Sequence, residues 1–182
     1  MELLDLVNPQ HTVVVTMEVQ RGIIGDLSGS PELQRAAEES GVLLNGPRIC
    51  DAARLAGIRV LHATAVNRAD DAGSKINCRM LAASQKINQV GGGLVENTEG
   101  AELVPSFGPK PEDITVPRLH GLTPFTSTSL DQLVRNLNGR TIVATGVSLN
   151  IGILGLAMSA VDLGYQVIIP TDAVAGVPLE YG

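Results

Sequence analysis

Residues 140–170, RTIVATGVSLNIGILGLAMSAVDLGYQVIIP, contain two short apolar runs separated by a helical pattern. The runs at residues 140–145 and 165–170 are rich in β-branched side chains, which favour strands. Between them, Ser148 or Asn150 is suited to cap the helix, because short polar side chains accept hydrogen bonds from its free amides. A strand, a helix and a second strand in this order predict a right-handed βαβ unit of a parallel sheet.

Three further strands are expected before this unit, each a short apolar run: residues 12–17 (TVVVTM), 58–65 (IRVLHATA) and 113–117 (DITVP). Strands that alternate with helices predict an α/β fold, a three-layer α/β/α sandwich with a mostly parallel sheet. Ligands of such folds bind outside the carboxyl ends of the strands. Such a sheet is expected to have a sixth strand and a closing helix, but the pattern of residues 171–182 predicts neither.

The connecting segments are less regular than the strands. A helix is expected from Pro31, with an interruption at residues 46–47 and a second helix over residues 48–56. Residues 67–108 are rich in Asn, Ser and Gly, which predicts a long and irregular loop region. Within it, the three glycines at 91–93 predict a flexible tip rather than a phosphate loop, because no Lys-Ser/Thr pair follows them.

Composition limits the classes of partner. The 182 residues show no internal repeat or linker, so residues 1–182 are expected to form a single domain. A net charge of −6 and an aromatic content of 2% argue against nucleic acid, because phosphates are repelled and few rings are available for stacking. No apolar run reaches the ~18 residues of a membrane span. A small-molecule partner and a cytoplasmic location are therefore expected, with no nucleic acid and no membrane contact.

Three segments carry a resemblance to a known family: TVVVTMEVQRG (12–22), DITVPRLHGLTPFTSTSLDQLV (113–134) and TIVATGVSLNIGILGLAMSAVDLGYQVIIPTDAVAG (141–176). In this order and spacing they resemble the isochorismatase-like, or cysteine hydrolase, superfamily, whose fold is Rossmann-like. The resemblance covers most of residues 12–176. It implies a hydrolase, an active site built from Asp, Lys and Cys, and assembly into a homo-oligomer.

At each of these three catalytic positions, this sequence carries a residue type other than that of the family. Glu18 stands at the Asp position, Leu119 at the Lys position and Gly152 at the Cys position. A shift of one residue would place Arg118 at the Lys position, but the spacing to the following His-Gly-Leu-Thr-Pro-Phe favours Leu119. The sequence therefore predicts a member of the superfamily that lacks the triad.

Loss of the cysteine excludes covalent catalysis at Gly152, because glycine has no side chain. The resemblance also implies that true isochorismatases carry Gly at this position and work by protonation and water addition. Glu18 is then the candidate general acid or base. The alternative for Glu18 is a carboxylate paired with Arg21 or Arg68 that only holds the loop.

Four polar side chains are candidate substrate-binding groups: Asn67, Arg68, Arg118 and His120. An arginine binds a carboxylate well, because its two parallel N–H groups match the two oxygens. Salt bridging of Arg68 to Asp70 or to Glu18, and packing roles for the others, remain open as alternatives.

Backbone amides at the start of the last helix form a candidate oxyanion site. The N–H groups of Ile151 and Gly152 lie in the first turn, where amides lack helical partners and the helix dipole favours negative charge. Capping of these amides by Ser148 or Asn150 is the alternative. The resemblance further implies a cis peptide bond within residues 146–148.

No metal or cofactor is expected. Nicotinamidase-type relatives, as the resemblance implies, bind a metal through Asp-x-His-x-x-His, whereas His62 stands alone and Asp70-Asp71 lack partner histidines. The isolated thiols of Cys50 and Cys78 form no metal motif and are typical of a reducing compartment.

Two functions are consistent with these residues. The first is a hydrolase of a small organic substrate that uses no cysteine nucleophile. The second is a non-catalytic relative, a pseudoenzyme with a ligand-binding or assembly role. An open cavity that holds Glu18 beside Gly152 favours the enzyme, whereas an ion-paired Glu18 with no cavity there excludes it.

Overall fold

The sheet is six-stranded and entirely parallel. The computed structural model describes residues 2–89 and 93–178. Its strands are Thr12–Met17 (β1), Arg59–Ala65 (β2), Ile114–Arg118 (β3), Thr141–Val147 (β4), Gln166–Ile168 (β5) and Val174–Ala175 (β6). The strand order is β3-β2-β1-β4-β5, and the short β6 pairs with β4 beyond the end of β5. The mostly parallel sheet expected from the sequence is confirmed, and β6 is a strand that the sequence pattern did not predict.

Helices connect the strands. They are Leu3–Leu6 (α1), Arg21–Ile24 (α2), Pro31–Glu39 (α3), Val42–Leu55 (α4), Arg79–Gln89 (α5), Leu130–Asn136 (α6) and Leu154–Asp162 (α7). A 3-10 turn covers Glu99–Ala101, and a π-helical turn, Leu149–Ile153, leads into α7. No described helix combines the length and the apolar character that a membrane span requires.

The two faces of the sheet are buried by different helices. Val13, Val15 and Met17 of β1 belong to a cluster that includes residues of α6 and α7. Val14, the alternate residue, belongs to a second cluster with residues of α3 and α4. Because successive side chains of a strand point to opposite faces, this division produces the three-layer α/β/α sandwich.

The prediction of an interruption at residues 46–47 is wrong, because α4 continues through them. The helix runs without a break from Val42 to Leu55, with Pro47 inside it. Gly46 and Pro47 are both buried, and a side chain at Gly46 would collide with the ring of Phe107 at 2.5 Å. Close packing of the helix against this ring outweighs the single hydrogen bond that Pro47 cannot donate.

Helix α5 corrects the expectation that residues 67–108 are irregular throughout. Its eleven residues include Met80, Leu81 and Ile87, which line a cavity at the end of the sheet. Leu81 and Ile87 are partly covered and Met80 is exposed, so this helix has an apolar face that the surrounding Asn, Ser and Gly residues obscure in the sequence. The predicted flexible tip at 91–93 lies, apart from Gly93, outside the described residues.

Candidate functional site

A cavity of about 690 Å³ lies where the parallel strands end. Its wall is formed by residues that follow β1, β2, β3 and β4, together with α5. This is the edge of the sheet at which α/β folds bind ligands. The predicted site residues that line it are Glu18, Asn67, Arg118, Leu119, His120, Ile151 and Gly152.

Glu18 and Arg118 form an ion pair in the wall of this cavity. Arg118 Nη2 donates a hydrogen bond to Glu18 Oε1, and the side chains are only 5% and 18% exposed. Glu18 follows β1 directly, and its φ of 53° turns the chain out of the strand. A non-glycine residue in this left-handed region is uncommon and often marks a functional site.

The structure places Arg118, rather than Leu119, beside the carboxylate. Arg118 is the last residue of β3 and shares the buried face of Val116, two residues earlier. Leu119 lies just beyond the strand, is 39% exposed, and uses its carbonyl oxygen to accept a hydrogen bond from Ser74 Oγ at 2.7 Å. Strand alternation thus directs Arg118 to Glu18, and the assignment of Leu119 to the family's Lys position stays a prediction.

One donor of Arg118 has no acceptor among the described residues. Arg118 Nε donates to the carbonyl oxygen of Gly121 at 2.9 Å, and Nη2 binds Glu18. The remaining nitrogen, Nη1, is buried and out of contact with the cavity. The guanidinium is therefore held by the protein itself, through Glu18 and Gly121.

Gly152 is buried beside Met17. A Cβ atom at Gly152 would lie 2.9 Å from Met17 Cε and 3.1 Å from the carbonyl oxygen of Val147. These distances are shorter than normal van der Waals contacts, so a side chain here requires the flexible end of Met17 to shift. Glycine fits beside Met17 without this shift.

The turn before α7 does not leave the Ile151 amide free. Ile151 N–H donates to the carbonyl oxygen of Ser148 at 3.1 Å, and Ser148 makes no side-chain cap. Asn150 Nδ2 donates instead to the carbonyl oxygen of Val177 at 2.9 Å. The backbone therefore already uses the Ile151 donor, and the prediction that the Ile151 and Gly152 amides together hold a developing negative charge stays a prediction. The expected cis bond is present between Val147 and Ser148.

Arg68 is not among the described residues that line the cavity. Its Nε and Nη2 atoms each donate to Asp70 at 2.9 Å, and this pairing lowers the pKa of Asp70 to about 2. The alternative considered for Arg68, a salt bridge to Asp70, is the one observed. Glu18 pairs with neither Arg21 nor Arg68, and Arg21 binds acidic residues elsewhere, including Asp26 at 2.8 Å.

Asn67 lines the cavity but its side chain is engaged with the wall. Asn67 Nδ2 donates to Ser74 Oγ at 3.1 Å, and Asn67 Oδ1 accepts from Asn88 Nδ2 at 2.8 Å. Asn88 Oδ1 in turn accepts from the Leu94 amide at 2.7 Å. This chain of hydrogen bonds ties α5 to the segment after β2, so Asn67 organises the wall more than it offers free groups to a ligand.

His120 is half-buried, with its ring in the cavity lining. Its Nδ1 atom accepts a hydrogen bond from the Lys75 amide at 3.3 Å. Because a backbone amide can only donate, neutral His120 carries its proton on Nε2. His120 is thus able to donate a hydrogen bond from Nε2.

The two cysteines offer no replacement nucleophile in this cavity. Cys50 is fully buried in α4, and burial raises the pKa of its thiol to about 12. A thiol in this environment stays protonated and inert. Cys78 is exposed and is not among the described cavity-lining residues.

Sequence reasoning missed the apolar part of the cavity wall. Met80, Leu81, Ser84, Ile87 and Asn88 of α5 all line it. Their spacing of three, four and seven residues is the mark of one helix face, and this signal is present in the sequence.

Gln20, also missed, is fully buried below this wall. It donates from Nε2 to the carbonyl oxygens of Ala65 and Ala101 at 2.9 Å, and accepts from the Ala65 amide at 2.8 Å. These bonds fix the end of β2 beside the cavity.

A second polar network lies under α4 and none of its members lines the cavity. His62 Nδ1 contacts Thr16 Oγ1 at 2.8 Å, and His62 Nε2 contacts Asp113 Oδ2 at 3.2 Å. Asp113 also binds Arg54 at 2.8 Å. Burial lowers the pKa of His62 despite the neighbouring carboxylate. Burial alone would raise the pKa of Asp113, but hydrogen bonds, above all from Arg54, outweigh it and lower the pKa.

Metal ligands are not clustered in the protein as described. Within residues 2–89 and 93–178, no group of three or more His, Cys, Asp or Glu side chains is suited to hold a metal ion.

Comparison with known proteins identifies the family. The chain is 40% identical over 75 residues to the uncharacterized isochorismatase family protein YwoC of Bacillus subtilis (strain 168), a match that covers 41% of this chain and 39% of that relative. Only about two fifths of the relative is therefore spanned.

Solved structures share the fold. A cysteine hydrolase from Pseudomonas syringae pv. phaseolicola 1448A has a TM-score of 0.77 at 22% identity, over 94% of this chain and 75% of that one. An isochorismatase family protein from Desulfovibrio vulgaris subsp. vulgaris str. Hildenborough has a TM-score of 0.75 at 25% identity, over 92% and 83%. Residues 12–181 match the isochorismatase domain family. The protein therefore belongs to the isochorismatase family.

Proposed function

We propose that the protein hydrolyses a small organic substrate without a covalent intermediate, with Glu18 as general acid and base. The observation that carries this proposal is the ion pair of Glu18 with Arg118 in the wall of an open cavity beside Gly152. Family membership supports a hydrolase-like protein, and Gly152 provides no nucleophile. Water is then the attacking group.

The pair suggests a sequence of proton transfers. Glu18 is present as a carboxylate opposite Arg118, which suits a base that takes a proton from water. The water oxygen bonds to the electrophilic carbon of the substrate, and the bond to the leaving group breaks. Glu18 then returns the proton to the leaving group, so that the carboxylate is restored. Arg118 holds the carboxylate in place, and His120 Nε2–H is a further donor available to the substrate.

The second candidate is a non-catalytic protein that binds a small molecule in the same cavity. Its support is the close contact of Met17 with Gly152, and the Leu119 side chain at the position assigned to the family lysine. The ion pair by itself does not exclude the enzyme, because the cavity beside Gly152 is open.

A hydrolysis screen of isochorismate, amides and ureas tests the enzyme. We expect turnover by the wild type and a loss of at least ~10²-fold in Glu18→Gln, because general acid–base groups contribute about 10²–10⁴-fold. Glu32→Gln is the matched control, since Glu32 is an exposed carboxylate of α3. Equal turnover in Glu18→Gln and wild type overturns the role of Glu18. No turnover in any folded form favours the ligand-binding protein.

We also propose a cytoplasmic homo-oligomer. Helix α7 supports this, because Leu154, Met158 and Val161 are 49%, 60% and 60% exposed along one face of it. Sedimentation velocity is expected to give at least twice the mass of the chain, and Met158→Glu to lower it. A monomer at all concentrations contradicts the proposal.

A further inference from the structure

The ionised side chains that line the cavity balance in charge. Among the described lining residues they are two carboxylates and two cations: Glu18, Asp71, Lys75 and Arg118. Glu18 is paired with Arg118. Asp71 Oδ2 accepts a hydrogen bond from Gln85 Nε2 at 3.0 Å, and Lys75 is exposed, so water screens its charge. An anionic ligand would therefore leave water without finding a free buried cation in this wall, which is costly.

Arg118 cannot serve as an anion site while it holds Glu18. Its Nε and Nη2 atoms are directed to Gly121 and Glu18, and Nη1 is out of contact with the cavity. A ligand carboxylate could reach the guanidinium only by displacing Glu18. That displacement would leave the Glu18 carboxylate, which is only 18% exposed, without its cation. The ion pair therefore selects against acids.

The same ion pair leaves one acceptor open. Oε1 of Glu18 accepts a hydrogen bond from Arg118, whereas no described residue donates to Oε2. Glu18 lines the cavity, and Oε2 is not among the buried polar atoms that lack a partner, so this oxygen is accessible. A hydrogen bond to a carboxylate is stronger than one between neutral groups. A ligand N–H or O–H group at Oε2 is therefore favoured.

The rest of the wall is largely aliphatic. Its side chains come from α5, from the segment around α2 and α3, and from the residues after α5: Ile23, Leu33, Met80, Leu81, Ile87 and Leu94. No Phe, Tyr or Trp is among the described residues that line the cavity, so a flat ring finds no ring to stack on. Saturated groups suit this wall, because they contact aliphatic side chains without needing a stacking partner.

The aliphatic region is closed by contact between separate segments. A Cβ atom at Gly29, before α3, would lie 2.6 Å from Ile87 of α5, so these two segments already touch. A Cβ atom at Gly22, in α2, would lie 3.2 Å from Leu94. These contacts bring α5 and the following residues against the α2–α3 region.

The cavity has room for a chain as well as a polar head. Its volume of about 690 Å³ lies within the range of ~300–1,000 Å³ that buries drug-sized ligands. A small polar head alone would leave the apolar side chains of α5 against water. A saturated chain on the ligand displaces this water.

We propose that the ligand of this cavity is an uncharged molecule with a hydrogen-bond donor, an N–H or O–H group, that binds Glu18 Oε2, and with a saturated chain that packs on α5. This inference rests on the proposed function only in taking the same cavity as the binding site, and it deepens that function by naming the class of substrate. The hydrolysable bond then lies in the polar head, beside Glu18.

Calorimetry with two isomers tests the donor without need of turnover. Hexan-1-ol and methyl pentyl ether have the same atoms, but only the alcohol has an O–H group. We expect the alcohol to bind about tenfold more tightly, because a hydrogen bond to a charged group contributes that much. Equal binding of the two isomers overturns the inference.

The same titrations test the charge and the chain. Hexanoate and hexylammonium are expected to bind more weakly than hexan-1-ol, and tighter binding of either ion overturns the inference. Straight-chain alcohols are expected to show a Kd that falls about fourfold for each added methylene group until the cavity is filled. A Kd that is independent of chain length also overturns it.

Two variants separate the polar and the apolar contacts. Glu18→Gln adds a positive charge to the wall, so hexanoate should gain on hexan-1-ol, and the preference for alcohol over ether should shrink. Leu81→Ser should flatten the dependence on chain length, whereas Lys86→Ser, at an exposed position of the same helix, should leave it unchanged. Should Glu18→Gln fail to fold, the isomer pair with the wild type tests the same contact.

The two proposals fail separately. Length-dependent binding of alcohols by a protein that hydrolyses nothing contradicts the proposed hydrolase and leaves the ligand class standing. Turnover of isochorismate, a dicarboxylate, with no binding of the alcohols contradicts the ligand class and leaves the hydrolase standing.

Discussion

At the scale of single residues, the contact between Gly152 and Met17 predicts that a cysteine at position 152 would disturb the packing of the core. The space that a Cβ atom would take at Gly152 is already used by the end of the Met17 side chain. Gly152→Cys is expected to destabilise the fold by about 1–3 kcal/mol, which is typical of overpacking in a dense core. Urea unfolding measures this cost, and Gly152→Ala separates the effect of Cβ from that of the thiol.

A double-mutant cycle of Met17→Ala and Gly152→Cys measures how strongly the two positions are coupled in stability. Met17→Ala alone is expected to cost roughly 2–5 kcal/mol, because it empties part of the core. In the Met17→Ala background, however, Gly152→Cys should cost less than it does in the wild type. Additive costs in the double-mutant cycle would contradict the contact seen between these residues.

At the residue scale, both Glu18 and Arg118 were named from the sequence as candidate site residues, but their pairing was not predicted. Glu18 follows a buried strand without interruption, so its place at the cavity follows from the strand alone. The direction of the Arg118 side chain depends on where β3 ends, which the motif spacing does not report. Strand alternation places Arg118 on the same buried face as Val116.

At the scale of elements, buried strands were predictable and interrupted helices were not. β1 and β4 are buried along their whole lengths, so continuous apolar runs mark them. α4 contains Gly46 and Pro47, which usually end helices, and its continuity depends on the ring of Phe107, sixty residues away in the chain. A contact between residues so distant in sequence leaves no local signal.

The predicted oxyanion site belongs to the same scale. It assumed a regular helix start at Ile151, with amides free for a ligand. In the turn over Leu149–Ile153, the Ile151 amide instead donates to the carbonyl oxygen of Ser148, three residues earlier. Local departures from α-helical geometry of this kind depend on packing that a capping pattern does not report.

At the scale of the whole molecule, the buried Thr16–His62–Asp113 network predicts sensitivity to acid. His62 has a folded-state pKa below its ordinary 6.5, so its contribution to stability is complete above pH 6.5 and is lost as pH falls below that value. Asp113, lowered from 3.8, contributes above pH 3.8 and loses its contribution in more acidic solution. Urea midpoints should therefore decline first just below pH 6.5 and again below 3.8.

His62→Gln isolates the first of these transitions. The amide side chain keeps a donor for Asp113 and an acceptor for Thr16 but cannot titrate, so the decline just below pH 6.5 should shrink. His120→Gln is the control, since it replaces an imidazole of the cavity wall. An unchanged decline in His62→Gln would show that other groups take up the protons.

The charged and the apolar parts of the cavity wall belong to different elements of the chain. Glu18 and Arg118 are held by the ends of β1 and β3, whereas much of the apolar wall comes from α5, a single segment between β2 and β3. The hydrogen bonds of Asn67 with Ser74 and Asn88 stay largely within that segment. Changes to α5 can therefore diversify ligand preference while the sheet keeps the ion pair in place. A library randomised at α5 alone would vary the apolar wall and leave the Glu18–Arg118 ion pair unaltered.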